Sequence, residues 1–189
     1  MPSPEPPADL SQLSLADIAR LAADRKLPPV ASWHPTRCGH SAMRIASDGR
    51  WFHEGQPIAR PAMVRLFSTI LRREPDGSHV LVTPVEKLDI EVDDAAFVAV
   101  ELKTEGSGDR RRLALRLNTG ETIIAGPDHA IAIEDRGAGP HPYVGVRGGL
   151  EALIARPVFY ELAEIALAEG GDPPGLWSDG AFFALGALE

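Results

Sequence analysis

Ile58-Ala59-Arg60-Pro61-Ala62-Met63-Val64-Arg65-Leu66-Phe67-Ser68-Thr69-Ile70-Leu71 and Ile154-Ala155-Arg156-Pro157-Val158-Phe159-Tyr160-Glu161-Leu162-Ala163-Glu164-Ile165-Ala166-Leu167 are two versions of one phrase. At an offset of 96, six of the fourteen positions are identical, where ordinary residue frequencies give about one. The apolar phase matches as well: Ala62, Met63, Leu66, Phe67, Ile70 and Leu71 stand opposite Val158, Phe159, Leu162, Ala163, Ala166 and Leu167. Each copy leads to an Asp-Gly turn and a short apolar run, Asp76-Gly77 before Val80-Leu81-Val82 and Asp179-Gly180 before Phe182-Phe183. A repeated helix–turn–strand unit is the reading, and units of this kind pack face to face around a seam that is a natural pocket.

Outward from the repeat, turn signals mark short strands. Met43 to Ala46 and Trp51-Phe52 flank Ser47-Asp48-Gly49 as a hairpin. Strand-like runs follow at 79–83, 85–92, 97–103 and 111–117, and then at 121–125, 130–134 and 143–146, with a last strand near 181–185. Pro61 suits the first position of a helix, where its missing N–H would be unpaired in any case. Gly149 to Ala155 reads as the start of a helix that Pro157 breaks or kinks, with a new helix from Pro157 to about Glu169 ended by Gly170-Gly171. Residues 1–10 are Pro-rich and expected to be disordered. Ser14 caps a short amphipathic helix carrying Leu15, Ile18 and Leu21. The expected divisions are a tail and helix over 1–31, a first domain over 32–103, and a second over 104–189. The second boundary is placed near residue 104, at the Glu105-Gly106-Ser107-Gly108-Asp109 cluster, which is also the turn signal that joins the strand-like runs at 97–103 and 111–117. The fold class is α+β: two small antiparallel-sheet domains, each flanked by its Pro-started helix.

The 189 residues carry a net charge of −8, which argues against a nucleic-acid partner, since that needs a basic surface. The charge is uneven. Arg60, Arg65, Arg72 and Arg73 make the first repeated segment basic, while no Lys or Arg follows Arg156. The acidic end either docks on the basic half or is simply solvated. Cys38 is the single cysteine, so no disulfide framework forms within the chain, which fits a reducing cytoplasm. The first residues have no basic region followed by an apolar core, so no secretory signal is expected. No apolar run is long enough to span a membrane.

Arg60 and Arg156 each stand immediately before a helix-starting proline. A cation at that positive helix end calls for an anion. It is either a carboxylate of this chain, such as Glu54 or Glu86, or the phosphate or carboxylate of a ligand. Lys87 sits at a strand position that either faces the seam or protects an edge. His34, Cys38 and His40 are zinc-ligand types at a spacing that matches no standard site, and no metal or cofactor is expected. Asp128-His129 and His141 invite an acid–base reading, but no nucleophile motif accompanies them. The glycine-containing segments around 137–139 and 145–149 are not phosphate loops of familiar type. Trp33, Trp51, Phe52, Tyr143 and Tyr160 read as core aromatics before they read as stacking platforms.

A family resemblance sits on Met43-Arg44-Ile45, Asp48-Gly49-Arg50-Trp51-Phe52, Gly55 and Pro57-Ile58. It continues through Leu81 to Lys87, Ala96 to Glu101, Pro142 to Arg147, and Arg156 with Val158 to Leu162. These runs resemble an uncharacterised bacterial family, domain of unknown function 1285, over about residues 35–168. The chain departs from the pattern at Gly39-His40-Ser41, where the family tends to be acidic. The resemblance implies a core made by duplication and a second domain superficially similar to pleckstrin-homology folds. It also implies a nucleotide-like ligand at the domain interface, in signal transduction. The expectation is therefore a non-enzymatic, cytoplasmic ligand-binding or sensory module for an anionic or nucleotide-like small molecule. Arg60, Arg156, Lys87, Arg147, Tyr143 and Trp51 are its expected contacts. The alternatives are a small hydrolase or nucleotide-processing enzyme using Asp128 and His129, and a protein-interaction adaptor.

Overall fold

The computed structural model describes Ser14, Ala16 and residues 27–186. The expected Pro-rich start and the helix of Leu15, Ile18 and Leu21 lie outside the described residues, apart from Ser14 and Ala16. The first unit runs β1 (Arg37–Ile45), β2 (Trp51–His53), β3 (Gln56–Pro57), α1 (Pro61–Thr69), β4 (Leu71–Arg73), β5 (His79–Val82) and β6 (Glu86–Val92). The second runs β7 (Phe97–Glu105), β8 (Arg112–Leu117), β9 (Thr122–Ile124), β10 (Ile131–Asp135), β11 (Pro140–Arg147), β12 (Leu150–Ile154) and α2 (Arg156–Glu169). A hairpin of β13 (Gly175–Ser178) and β14 (Ala181–Ala184) follows.

Among the described residues each unit makes one six-stranded sheet, ordered β3-β2-β1-β6-β5-β4 in the first and β10-β11-β12-β7-β8-β9 in the second. Both are two three-stranded meanders joined along their first and last strands. That central pairing is parallel, β1 with β6 and β7 with β12. The sheets are therefore mixed, which corrects the expectation of purely antiparallel ones. The local turn signals account for the meanders, and the parallel seam joins strands too distant in sequence for any turn signal to announce.

Two further expectations are corrected. Leu150 to Ile154 is a strand and not the start of a kinked helix. Leu150, Ala152 and Ile154 alternate inward and are 2%, 0% and 2% exposed, and parallel pairing with β7 stabilises the extended form. The helix opens only at Arg156, with Pro157 in its first turn, where proline is tolerated. The cluster at 105–109 is no boundary. It is the turn between β7 and β8, which pair from Ala99 with Leu117 to Glu105 with Arg112. The chain leaves the first sheet after Val92 and enters the second at Phe97. Of the two alternatives for the acidic end, docking on the first helix is not seen among the described residues: Glu169 lies 2.7 Å from Arg111 and Asp179 3.2 Å from Arg112, both within the second unit.

The fourteen-residue match marks a local motif in which a helix feeds a hairpin with an Asp-Gly turn. That motif is α1-β4-β5 in the first unit and α2-β13-β14 in the second. It is not the period of the sheets. β1 begins at Arg37 and β7 at Phe97, a step of sixty residues against the 96 of the match. α1 falls between the third and fourth strands of its unit, whereas α2 follows the sixth.

Burial is shared. One apolar cluster runs from Ile45, Trp51 and Leu71 through Phe97, Leu113 and Leu115 to Leu162 and Leu176. Full burial of each such side chain stabilises the fold by roughly 1.5–3 kcal/mol, so the two sheets are held by one core rather than two.

Candidate functional site

Two turns clasp at the seam. The β1–β2 turn closes through Ala46 N–H to Arg50 O and Gly49 N–H to Ala46 O. Asn118, in the β8–β9 turn, donates from Nδ2 to Gly49 O at 3.1 Å and accepts from Val98 N–H at 3.0 Å. Gly49 has φ +86°, and a Cβ there would meet Asn118 Nδ2 at 2.6 Å and Val98 Cγ2 at 2.9 Å. Only glycine permits both that backbone and that approach.

α1 lies beside the clasp. Phe67 stacks on Trp51 with ring centroids 6.5 Å apart and planes 17° apart. Between helix and clasp is a cavity of about 360 Å³, walled by Trp51, Ile58, Val64 and Arg65 from the first unit and Asn118 and Thr119 from the second. Trp51 and Thr119 are each 2% exposed. Trp51 Nε1 and Thr119 Oγ1 have no hydrogen-bond partner among the described residues. A buried polar atom left unpaired costs about 1–3 kcal/mol. Arg65 is half-buried and has no carboxylate partner among the described residues. The described residues that line the cavity thus carry an indole N–H, a hydroxyl and a guanidinium, and no carboxylate is among them. This donor set suits an acceptor-rich anion.

Of the six contacts named from sequence, Trp51 alone lines this cavity. Arg60 is the exposed N-cap residue of α1 and faces a neighbouring groove lined by Met43, His53, Met63 and Phe67. Arg156 is exposed at the first residue of α2 and lines none of the three described cavities. Neither forms the expected ion pair with Glu54 or Glu86; Glu86 lies 3.7 Å from Arg37 instead. Lys87 Nζ donates to Glu74 at 3.3 Å, beside Arg72, whose Nε lies 2.6 Å from the same carboxylate. The hydrogen bond from Arg72 is the main cause that holds the Glu74 carboxyl below its usual range. Arg72 also donates to the carbonyls of Val30 and Trp33, tying the N-terminal approach to β4. Arg147 crosses the seam farther along α1, reaching Glu121 at 2.5 Å and Ser68 O at 2.9 Å.

Tyr143 is 3% exposed and donates to Asp94 at 2.8 Å, with the Arg136 guanidinium 3.7 Å above its ring. Arg136 also bonds Glu134 and Glu151. Burial, and then the bond to Asp94, push the Tyr143 phenol up to about 12, from about 10 in the unfolded chain. The protonated phenol is the form the fold favours. Its contribution to stability is fully present below about pH 10 and is lost as pH rises through the folded value. Denaturant melts across that alkaline range should show this loss in the native protein, and Tyr143→Phe should flatten it. Equal alkaline slopes for the two proteins would contradict the assignment.

The other sequence candidates are dispersed. His129 lies on the turn at 126–129, with Nδ1 3.0 Å from Gly145 O and no carboxylate bonded to its ring. His40 contacts Asp89 at 3.2 Å on an exposed strand, and Cys38 is exposed and free. Among the described residues no three His, Cys, Asp or Glu side chains gather as metal ligands. Nor is any helix among them long and apolar enough to cross a membrane. Arg65, Asn118 and Thr119 escaped the sequence reading. The basic run of Arg60, Arg65, Arg72 and Arg73 contained Arg65 without marking it as a contact, and the Asn-Thr-Gly turn carried no sign that it would meet that helix.

The family description "Domain of unknown function (DUF1285), N-terminal domain" matches residues 28–95, and its C-terminal counterpart matches 96–185. The chain belongs to the DUF1285 family. The division between the two matches falls where the chain passes from the first sheet to the second. A crystal structure of a DUF1285 family protein from Silicibacter pomeroyi DSS-3 is 46% identical, with a TM-score of 0.80 over 90% of this chain and 95% of that one. A second DUF1285 family protein, from Shewanella baltica OS155, is 22% identical, with a TM-score of 0.52 over 66% of this chain and 91% of that one, and shares the fold. No curated protein matches the chain.

Proposed function

We propose that this DUF1285 protein is a cytoplasmic ligand-binding module of bacterial signal transduction that takes an anionic, nucleotide-like small molecule in the seam cavity. The observation that carries the reading is the cavity's polar complement. Arg65, without a carboxylate partner among the described residues, shares one space with Trp51 and Thr119, whose buried Nε1 and Oγ1 have no partner among those residues either. Residues of both units wall that space, so a ligand there touches both sheets and biases how they meet. A free, exposed Cys38 is in keeping with a reducing compartment. Origin by duplication, with a second unit like pleckstrin-homology folds, is part of the same reading. It is supported by the shared strand order and by the single helix after the second sheet. His129, bonded to a main-chain carbonyl, supplies the hydrolytic alternative with no carboxylate-oriented base.

The test is a thermal-shift screen with nucleoside phosphates, sugar phosphates and inorganic phosphate, followed by titration of any hit against Arg65→Ala. A ligand at about 100 times its dissociation constant adds about 2.7 kcal/mol of stability. Losing the Arg65 contact should weaken binding by about 1.5–3 kcal/mol. No stabilisation by any anionic probe, or an Arg65→Ala protein that binds the hit unchanged, would refute the reading.

A further inference from the structure

Beside the seam cavity, and sharing Pro57, Ile58 and Ala59 with it, is a second concavity of about 460 Å³. Its size falls within the range of small-molecule sites. Its apolar wall is Met43, Ile58, Met63 and Phe67. The chain has three methionines, and the two beyond the initiating residue, Met43 and Met63, both line this groove. Methionine is unbranched and polarizable, so it conforms to flexible apolar ligands of varied shape. Met63, which lines the groove, is 39% exposed, and Leu66, three residues on and outside the lining, is 64% exposed, so the helix carries exposed apolar surface beside the groove. Arg60 also lines it, is exposed, and has no carboxylate partner among the described residues. No Asp or Glu is among the described residues that line the groove, whose polar members besides Arg60 are His53 and Gln56. One uncompensated cation beside an apolar trough complements a ligand with an apolar chain and a single anionic head.

We propose that this groove binds an amphiphilic carboxylate, with its alkyl chain along Met43, Ile58, Met63 and Phe67 and its head on Arg60. The site uses a different arginine from the seam cavity and does not depend on what the seam binds. The attraction has two separable parts. Burial of the chain contributes in proportion to its length, about fourfold in affinity per methylene. The head contributes through a charge-assisted hydrogen bond to the guanidinium.

The experiment titrates the full-length protein with octanoate, decanoate and dodecanoate below their micellar concentrations, followed by calorimetry, with dodecanol and dodecyl phosphate as comparison probes. Affinity should climb with chain length by about fourfold per methylene until the groove is full, and dodecanol should bind at least about tenfold more weakly than dodecanoate. Arg60→Ala should lower dodecanoate affinity about tenfold or more and leave dodecanol unchanged, while Arg60→Lys restores part of the loss. Met63→Asp should abolish binding of all three acids. Arg65→Ala, in the seam, should leave dodecanoate affinity unchanged, which separates this site from the seam reading. Circular dichroism of each variant checks that it is folded; Arg60 and Met63 are exposed enough to be replaced without opening the core. Affinity independent of chain length, Arg60→Ala binding like the native protein, or equal loss in Arg65→Ala would overturn the proposal. So would dodecyl phosphate binding where dodecanoate does not. Chain-length-dependent binding accompanied by dimerisation would also overturn it, because the occupant would then include a second copy.

Discussion

Trp51→Ala is expected to destabilise the protein by about 4 kcal/mol, the range for removing a fully buried large aromatic. Trp51 is 2% exposed, pairs in register with Ile45, and stacks on Phe67. Its loss opens a hole between the first sheet and α1, and α1 is held on one side by that ring. Trp51→Phe should cost far less. The ring contact with Phe67 survives, and the buried N–H, which has no partner among the described residues, goes with the indole. Chemical denaturation followed by far-ultraviolet circular dichroism separates the two. If the Phe variant is as damaged as the Ala variant, the indole nitrogen is contributing a bond and the cavity chemistry described above is wrong.

Arg147→Ala should cost about 3 kcal/mol, since removing one partner of a largely buried ion pair strands the other. The guanidinium joins Glu121, whose side chain is 11% exposed, to the Ser68 carbonyl of α1, and lies 5.2 Å from the Phe97 ring centroid. These contacts bind the first unit's helix to the second unit's sheet. Arg147→Lys should recover little, because an ammonium cannot reach both oxygens with the planar fork of a guanidinium. A double-mutant cycle with Glu121→Gln isolates the pair. Additive losses would mean that Arg147 acts through Ser68 and Phe97 alone.

These two residues also indicate how far the sequence could be read. Both were singled out as ligand contacts, yet Arg147 is engaged within the chain and Trp51 serves as wall and core together. The strands β4 and β13 gave no local signal, but the hairpin around Asp48-Gly49 and the turns Asp76-Gly77 and Asp179-Gly180, each with the strand after it, were legible because turn chemistry is local. The helix beginning at Arg156 was legible for the same reason. β12 was misread because Glu151, Ala152 and Leu153 favour helix on propensity, while its strand character comes from pairing with β7, some fifty residues away. The segment 105–109 reads both as a turn between two strands and as a boundary, because Gly-Ser-Gly-Asp looks alike in a linker and a hairpin. Only the pairing of β7 with β8 tells them apart. Arg65 and Thr119 meet across the seam, and no periodicity in either segment encodes that meeting. Family resemblance reached the family and its two-domain, sheet-rich architecture because it is carried by whole strands. The site rests on a few side chains brought together by the packing of two sheets.

The parallel junction inside each sheet bears on how the chain acquires its structure. Arg37 must find Glu86, and Phe97 must find Ala152, before either sheet has its central pair. Each three-stranded meander can form early from neighbouring residues, but its join to the other half closes a long loop, and that entropy is spent before the contacts reward it. A ribosome-bound chain that ends short of β6 therefore holds its first meander with an unpaired inner edge, β1. During synthesis the first unit can seal once Val92 has emerged, while β7 waits, open to pairing with other chains, until β12 follows.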